Sequence, residues 1–340
     1  MAQRSKPIRY RHKRKTTLSQ KLKKLGRQLW KAFKKKFKKD PAKVSVIILG
    51  ITAIFALMIM HSLNKVEPIS QDGYVHAEKF NGYVVADGID VSYAQGDVDF
   101  KSIKKSGIDF VFIRAGFRDT SEGNLHVDER FEENIKAARK AHLAVGLYYF
   151  SQATTSKEAK EEAEALLELA KPYEIDLPLV MDYEKHEGGR LSKIIAENNM
   201  KGEMLNKIAL AFTNTVEKAG YESAVYANYD FLMHYLDGVA LSKQTNIWTA
   251  QYNSFAQFPG DYLLWQCTDS LQLEGTESTY VDRDFLYLPT DGIWPSHSAD
   301  SENRTSIGDC TIELKKHHFR YVGLNIEPKL KVHDGKIKLK

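Results

Sequence analysis

The sequence predicts an α/β protein whose main part is an irregular, TIM-like (β/α)8 barrel, preceded by a transmembrane helix and followed by a short β-rich tail. Eight apolar, strand-like segments occur within about 200 residues, and helical patterns separate the earlier ones. Strands that alternate with helices are typical of a parallel sheet, and eight strands are enough to close a barrel. Little helical pattern lies between the later strands, so we expect the barrel to be irregular. A doubly wound open sheet is the alternative.

The strand candidates run from residue 88 to residue 286. They are GIDVS (88–92), FVFIRAG (110–116), LAVGLYYFS (143–151), LPLVMDYE (177–184), SAVYAN (223–228), NIWTAQY (246–252), YLLWQCT (262–268) and YVDRDFL (280–286). Helical periodicity covers residues 128–142, 156–171 and 199–219 between them. The second of these helices begins at Ser156, a favourable cap, and carries acids in its early turns.

The first 43 residues are strongly basic. They contain 18 of the 49 Lys and Arg residues and one acid, Asp40, which leaves residues 44–340 with a formal charge of −12. Apolar residues recur there at helical spacing, namely Leu18, Leu22, Leu25, Leu29, Phe33 and Phe37. This pattern predicts a basic amphipathic helix suited to an anionic membrane surface. A basic tail is also typical of nucleic-acid binding, but the segment that follows favours lipid.

Residues 44–63, VSVIILGITAIFALMIMHSL, contain no Asp, Glu, Lys or Arg. About 20 helical residues rise roughly 30 Å, the thickness of the hydrocarbon core of a bilayer, so this stretch predicts a transmembrane helix. A buried soluble helix fits less well because the stretch is apolar on every side, and a cleaved signal peptide fits less well because no small-residue cleavage site follows. The basic flank favours a cytoplasmic N-terminus, which places the later residues in the periplasm or outside the cell.

The other regions outside the barrel show no readable chemistry. Residues 64–86 are polar and predict a linker, which places the barrel at 87–290, and the short alternating runs of 291–340 predict a β-rich appendage. Cys267 and Cys310 lack metal or redox spacing, and either a disulfide or two buried thiols fits them. We expect a monomer that uses no cofactor, holds no metal and binds no nucleic acid.

Two carboxylates, Asp182 and Glu184, end the apolar strand LPLVMDYE one residue apart. Residues i and i+2 of a strand share a face, so the two side chains point the same way and lie roughly 6–7 Å apart at Cβ. Two like charges at that distance raise the proton affinity of at least one of them. Such a pair suits an acid/base role, although a metal site or a solvated surface pair has the same pattern.

The predicted strands bring further polar and aromatic residues to the same end of the barrel, where active sites of parallel barrels form. These residues are Asp90, Arg114, Tyr148, Phe150, Asp182, Glu184, Tyr226, Asn228, Trp248, Gln251, Trp265, Gln266 and Asp282. Aromatic faces stack on sugar rings, and amides and carboxylates bind hydroxyl and N-acetyl groups. The set therefore suits a carbohydrate ligand.

Seven segments occur in an order and at a spacing that closely resemble the glycoside hydrolase family 25 lysozymes, the Chalaropsis-type muramidases. They are DGIDVSYAQGDVDF (87–100), DFVFIRAGFRD (109–119), VGLYYFS (145–151), LPLVMDYE (177–184), VYANYDFL (225–232), IWTAQY (247–252) and LLWQCT (263–268). The resemblance covers about 200 of the 340 residues and excludes both the N-terminal segment and the tail. It implies hydrolysis of the β-1,4 bond between N-acetylmuramic acid and N-acetylglucosamine in peptidoglycan.

The resemblance also implies roles for four acids. Glu184 matches the general acid of the family, Asp182 its partner in the D-x-E motif, and Asp90 and Asp282 the acids of the first and last strands. Two residues on one strand face cannot flank a sugar from opposite sides, so a route in which the N-acetyl oxygen of the substrate attacks, assisted by Asp182, fits better than a two-carboxylate scheme. The alternative is a non-catalytic peptidoglycan-binding module that tethers the membrane to the cell wall.

Overall fold

The structure, a computed structural model, describes residues 37–63 and 73–288 without a break. It also describes positions 27, 30, 31, 34 and 35 and four short strands after residue 311. The chain divides into two compact units, Met1–Lys65 and Val66–Lys340.

In the first unit, helix α1 spans Pro41–Leu63. Within the part of the chain that the structure describes, no helix has both the length and the apolar character needed to cross a bilayer. The predicted span at 44–63 falls in α1, but the side chains of 44, 48 and 56–63 lie outside the described residues, so the span stays a prediction. Of the predicted amphipathic set, Phe37 is helical and exposed. The other five, Leu18, Leu22, Leu25, Leu29 and Phe33, lie outside the described residues.

In the second unit, nine strands lie between residues 84 and 288. They are β1 (Val84–Val91), β2 (Phe110–Arg118), β3 (Leu125–Val127), β4 (Ala144–Ser151), β5 (Leu179–Tyr183), β6 (Ser223–Asn228), β7 (Asn246–Ala250), β8 (Leu264–Leu271) and β9 (Val281–Leu288). All except β3 form a closed ring in the order β1-β2-β4-β5-β6-β7-β8-β9, because β1 pairs with both β2 and β9. The eight predicted strands are confirmed to within a few residues, and the closed ring excludes the open-sheet alternative.

Helices cover the outside of the first part of the ring. They are α2 (Phe100–Lys105), α3 (Phe131–Lys140), α4 (Ser156–Ala170), α5 (Arg190–Asn198), α6 (Glu203–Lys218), α7 (Tyr229–His234) and α8 (Gly238–Leu241). The third predicted helix, 199–219, begins at Glu203 as α6, and the shorter α2, α5, α7 and α8 were not predicted. Thr155, rather than Ser156, caps α4 by accepting a hydrogen bond from the backbone of Glu158.

The barrel differs from a regular (β/α)8 ring at its last strand. Strands β1 to β8 of the ring run parallel to their neighbours, but β9 runs antiparallel to both β8 and β1. No helix lies in the connections 251–263 and 272–280, which precede β8 and β9. A parallel crossover usually needs a dozen or more residues with a helix, whereas a short connection permits an antiparallel return. The ring therefore lacks the (β/α)8 pattern at its later strands, where the sequence predicted an irregular barrel.

The segment just before the ring packs against it. Residues 73–83 fall in the predicted linker, yet His76 and Phe80 are buried. The Phe80 ring stacks on Tyr287 of β9 at 3.7 Å between centroids, and His76 Nδ1 lies 2.7 Å from the Tyr287 hydroxyl. Tyr74 contacts the outer side of β8 through an edge-to-face contact with Trp265. These residues cover the part of the barrel that lacks a helix.

Four short strands lie in the predicted β-rich tail: β10 (Ile312–Glu313), β11 (Arg320–Tyr321), β12 (Leu330–His333) and β13 (Lys336–Leu339). β12 and β13 form an antiparallel pair, and β12 meets the start of β1 at the pair Val84–Lys331. Cys310 lies outside the described residues, and Cys267 in β8 is a buried free thiol.

A buried ion pair links the first and the last strand of the ring, β1 and β9. Arg283 of β9 donates from Nη2 to Asp87 of β1 at 2.6 Å, and both side chains are 3% exposed. A second bond, from Arg283 Nε to Asp87 Oδ1, measures 3.0 Å. Because both charges are buried, removing either side chain would leave the other charge unpaired and away from water, which destabilises the fold.

Candidate active site

A pocket of about 380 Å³ opens at one end of the ring. It is lined by Asp90, Arg114, Tyr148, Phe150, Asp182, Glu184, His186, Tyr226, Trp248, Tyr252, Gln266 and Asp282. The parallel strands bring their C-terminal ends to this pocket, where active sites of barrel proteins form. All four predicted catalytic acids and six of the nine predicted substrate-binding residues are present.

The reversed strand β9 adds an acid to the same end. Because β9 runs antiparallel, its first residues lie beside the last residues of β1, and Asp282 pairs directly with Asp90. Directly opposed residues of an antiparallel pair have their Cα atoms about 4.5–5.5 Å apart. Burial first, and then the charge of Asp282, raises the pKa of Asp90 well above its usual range.

Glu184 is the first residue after β5. Burial first, and then the negative charge of Asp282, raises its pKa to about 7. The carboxyl group therefore holds its proton to near-neutral pH, as a group that donates a proton must. Its backbone carbonyl accepts a hydrogen bond of 3.1 Å from Nε2 of Gln152, a fully buried side chain at the end of β4.

The loop that follows Glu184 is fixed on its far side by Arg190. The guanidinium group of Arg190 donates to the Gln152 carbonyl at 2.7 Å and makes two bonds to Glu158 of α4, at 2.6 and 3.1 Å. The Arg190 amide donates to the Thr120 carbonyl at 2.8 Å. Such bidentate pairs fix geometry well, so the backbone at Glu184 is anchored to β4, α4 and the β2–β3 loop.

Asp182 is buried within β5, two residues before Glu184. Burial, followed by the charges of Glu184 and Asp90, raises its pKa well above the usual range, and the positive charge of Arg114 opposes that rise. Among the described residues, its Oδ1 atom has no hydrogen-bond partner. A buried carboxylate oxygen without a partner is costly, so this atom is suited to accept a hydrogen bond from a ligand.

Amides and phenols surround Asp90 on the opposite wall. Gln266 donates from Nε2 to Asp90 Oδ2 at 2.8 Å, and its Oε1 atom accepts bonds from the hydroxyls of Tyr226 and Tyr252 at 2.8 and 2.9 Å. Deeper in the ring, Trp248 donates from Nε1 to Asp284 at 2.9 Å. These bonds fix the aromatic rings at the pocket wall.

Arg114 supplies the positive charge of the pocket. Its Nε atom donates to Asp128 at 2.7 Å, and its guanidinium group lies over the rings of Tyr93 and Phe117. Its Nη2 atom is buried and has no hydrogen-bond partner among the described residues. A donor is therefore available beside Asp182.

Three predicted substrate-binding residues do not line the pocket. Asn228 caps α7 by accepting a hydrogen bond of 2.9 Å from the Phe231 amide. Gln251 lies beyond the end of β7, where its side chain bonds Gln257. Trp265 is fully buried on the outer side of β8, because it precedes the inward Gln266 by one residue.

The pocket also contains residues that the sequence did not predict. Tyr252 and His186 line it from the loops after β7 and β5, and Gln152 lies behind the lining residues. Alternation along β9 predicts that Asp284 faces the same side as Asp282, and in the structure Asp284 lies deeper, bonded to Trp248. Among the residues that the structure describes, no group of three or more His, Cys, Asp or Glu has the arrangement of a metal site.

Comparison with known proteins gives consistent matches to this part of the chain. The profile of Glycosyl hydrolases family 25 matches residues 89–276. An autolytic lysozyme of Clostridium acetobutylicum is 25% identical over 234 residues, 67% of this chain and 66% of that protein. Lysozyme M1 of Streptomyces globisporus is 29% identical over 117 residues, 34% of this chain and 38% of that protein. The chain thus spans less than two thirds of both relatives.

Two solved structures share the fold. A family 25 glycosyl hydrolase from Bacillus anthracis matches with a TM-score of 0.51 and 23% identity, over 65% of this chain and 96% of that one. The modular autolysin LytC of Streptococcus pneumoniae, solved with a synthetic peptidoglycan ligand, matches with a TM-score of 0.51 and 22% identity, over 60% of this chain and 47% of that one.

Proposed function

The chain belongs to glycosyl hydrolase family 25, and we propose that it is a muramidase, a lysozyme that hydrolyses the β-1,4 bond between N-acetylmuramic acid and N-acetylglucosamine in peptidoglycan. The observation that supports this most directly is the D-x-E pair at the end of β5. Glu184 has a pKa of about 7 and lines a pocket with three further acids. A protonated carboxyl group in an aromatic, acid-lined pocket suits glycoside cleavage.

Glu184 acts as the general acid. It donates its proton to the glycosidic oxygen as the bond to the anomeric carbon breaks, so that the leaving sugar departs as a neutral alcohol. Burial and the charge of Asp282 keep that proton in place near neutral pH. The hydrogen bond from Gln152 to the Glu184 backbone carbonyl fixes the direction from which the proton is delivered.

Asp182 assists the acetamido group of the sugar. Its Oδ1 atom accepts the N–H of that group, which directs the acetamido carbonyl oxygen toward the anomeric carbon. The oxygen attacks as the leaving group departs, and a cyclic oxazolinium-like intermediate forms. Burial raises the pKa of Asp182, but Glu184 exerts no repulsion on it while protonated, and the positive charge of Arg114 opposes the rise. Water then opens the intermediate, and Glu184, now ionised, takes up the proton of that water.

Asp282, which faces Asp90 at the pocket and has a pKa of about 6, is ionised at neutral pH and stabilises the positive charge that develops at the reacting carbon. Tyr226 and Trp248 form the wall on which a sugar ring packs. The hydrogen bonds from Tyr226 and Tyr252 to Gln266 orient this wall before substrate arrives.

The decisive experiment compares the full-length protein with Glu184→Gln in a peptidoglycan zymogram and in a reducing-end assay. Gln keeps size and hydrogen bonding but cannot deliver a proton, so turnover should fall by about 10²–10⁴-fold. Sedimentation with peptidoglycan should be unchanged. Glu197→Gln, an exposed acid on α5, is the matched control and should retain full activity. Wild-type protein that binds peptidoglycan without releasing reducing ends would support the tethering module instead.

We also propose that residues 1–63 anchor the enzyme in an anionic membrane, with a cytoplasmic N-terminus and the barrel periplasmic or extracellular. The proposal is supported by the uncharged sequence 44–63 and the basic residues before it. A protease added to spheroplasts should release the barrel and leave a short basic fragment in the membrane. A protected barrel with a cleaved N-terminus would refute the orientation.

A further inference from the structure

A second cavity, of about 670 Å³, lies on the other side of the segment that carries Glu184. We call it the side groove; its lining includes Lys185, Glu187, Ile195, Met200, Lys201 and Tyr235. The segment after β5 alternates between the two cavities. Glu184 and His186 line the active-site pocket, whereas Lys185 and Glu187 line the side groove. One stretch of backbone therefore separates the two cavities.

The side groove holds two lysines, Lys185 and Lys201, and one acid, Glu187. Among the described residues, neither Lys185 nor Lys201 forms an ion pair, although many other cations of the barrel do, such as Lys243 with Asp261. The Lys185 ammonium lies 3.5 Å from the centre of the Tyr235 ring. An aromatic face holds a cation in place without neutralising it. Less conformational entropy is then lost when the cation pairs with an anion.

The wall of the side groove is partly apolar. Ile195 and Met200 are buried and lie beside Ala196, between the two lysines along the chain. A ligand that fits this surface combines small apolar groups with free carboxylates. A short acidic peptide has this composition, whereas a neutral sugar does not.

We propose that the side groove binds the acidic peptide that the lactyl group of N-acetylmuramic acid carries in peptidoglycan, with Lys185 and Lys201 pairing with its carboxylates. The inference rests on the proposed muramidase function, since a muramic residue held by Asp182 and Glu184 starts its peptide at the dividing segment. A peptide of five residues reaches at most about 15–18 Å, enough to cross one backbone and lie along a neighbouring groove. The groove would then select strands that still carry peptides.

The test compares two substrates with one pair of variants of the full-length protein. The substrates are glycan strands that retain their peptides and the same strands after an amidase has removed them. The variant is the double substitution Lys185→Gln/Lys201→Gln. The charge-matched control is Lys193→Gln/Lys218→Gln, which removes two exposed lysines outside the groove.

The groove variant loses two partly exposed ion contacts, so its KM for peptide-bearing strands should be about three- to tenfold higher than that of wild type, with kcat little changed. Salt should reduce the difference. Activity on stripped strands should match wild type for both variants. An equal loss on both substrates, an equal loss in the control variant, or no loss on peptide-bearing strands overturns the role of the groove. If wild type cleaves neither substrate, the proposed muramidase function itself fails, and stripped strands distinguish that result.

Discussion

Replacing Asp282 with Asn should move the alkaline limit of activity to lower pH. The pKa of Glu184 rises from an ordinary 4.5 to about 7, with burial as the larger cause and the charge of Asp282 as the second. Asp282 is the smaller of the two raising causes and His186 opposes them, so we expect a shift of about one pH unit, which corresponds to about 1.4 kcal/mol. Asp282, with a pKa of about 6, is ionised where Glu184 titrates, so its charge acts there.

The sign follows from the proposed role of Glu184 as general acid, which requires the protonated carboxyl group. Removing a neighbouring negative charge makes the proton easier to lose, so activity should end at a lower pH. The assay is the pH dependence of kcat/KM for reducing-end release from peptidoglycan. Asp269→Asn is the control: this exposed acid acts on the pKa of Asp282 and not directly on that of Glu184, so the alkaline limb should stay in place. An alkaline limb of Asp282→Asn that stays in place or moves upward would refute the electrostatic argument.

Three further predictions concern positioning and stability. Gln152→Met removes the hydrogen bond to the Glu184 carbonyl, so kcat should fall by about tenfold or more, with little change in KM or melting temperature. A loss of folded protein in proportion to the loss of activity would contradict the positioning role. Asp87→Asn removes the negative charge that pairs with the buried Arg283, and urea unfolding should show a loss of about 3–5 kcal/mol, whereas a loss below 1 kcal/mol would contradict the buried pair. Burial raises the pKa of the Cys267 thiol to about 12, so a thiol reagent should modify it in urea and hardly at all in the native protein.

The sequence predicted the strands well because each is a short apolar run that ends in polar residues. Asp90 and Asp182 line the pocket as predicted. Alternate residues of a barrel strand face the interior, so an inward-facing side chain near the C-terminal end of a strand lies at the mouth of the barrel. By the same rule, only one of two neighbouring residues in a strand can face the pocket. Trp265 and Gln266 were both predicted to bind substrate, and alternation allows only one of them to face inward.

Other features depended on information that residue patterns carry weakly. Tyr252 and His186 reach the pocket from irregular loops, whose path no periodicity describes. Gln152 acts through a backbone carbonyl, so nothing in its own residue type marks it as part of a site. The direction of β9 did have a signal, because residues 272–280 are too short and too irregular to hold a crossover helix.

The antiparallel return of the last strand also governs when the molecule becomes complete during synthesis. β1 is among the first barrel segments to leave the ribosome, yet its partner β9 emerges last, after every other strand of the ring. Pairings between such distant segments form slowly, because a long loop must close before any contact forms. Until residues 281–288 have been added, the growing chain has two unpaired sheet edges and lacks Asp282, the acid that faces Asp90. The complete pocket therefore forms only when the last barrel strand has been made.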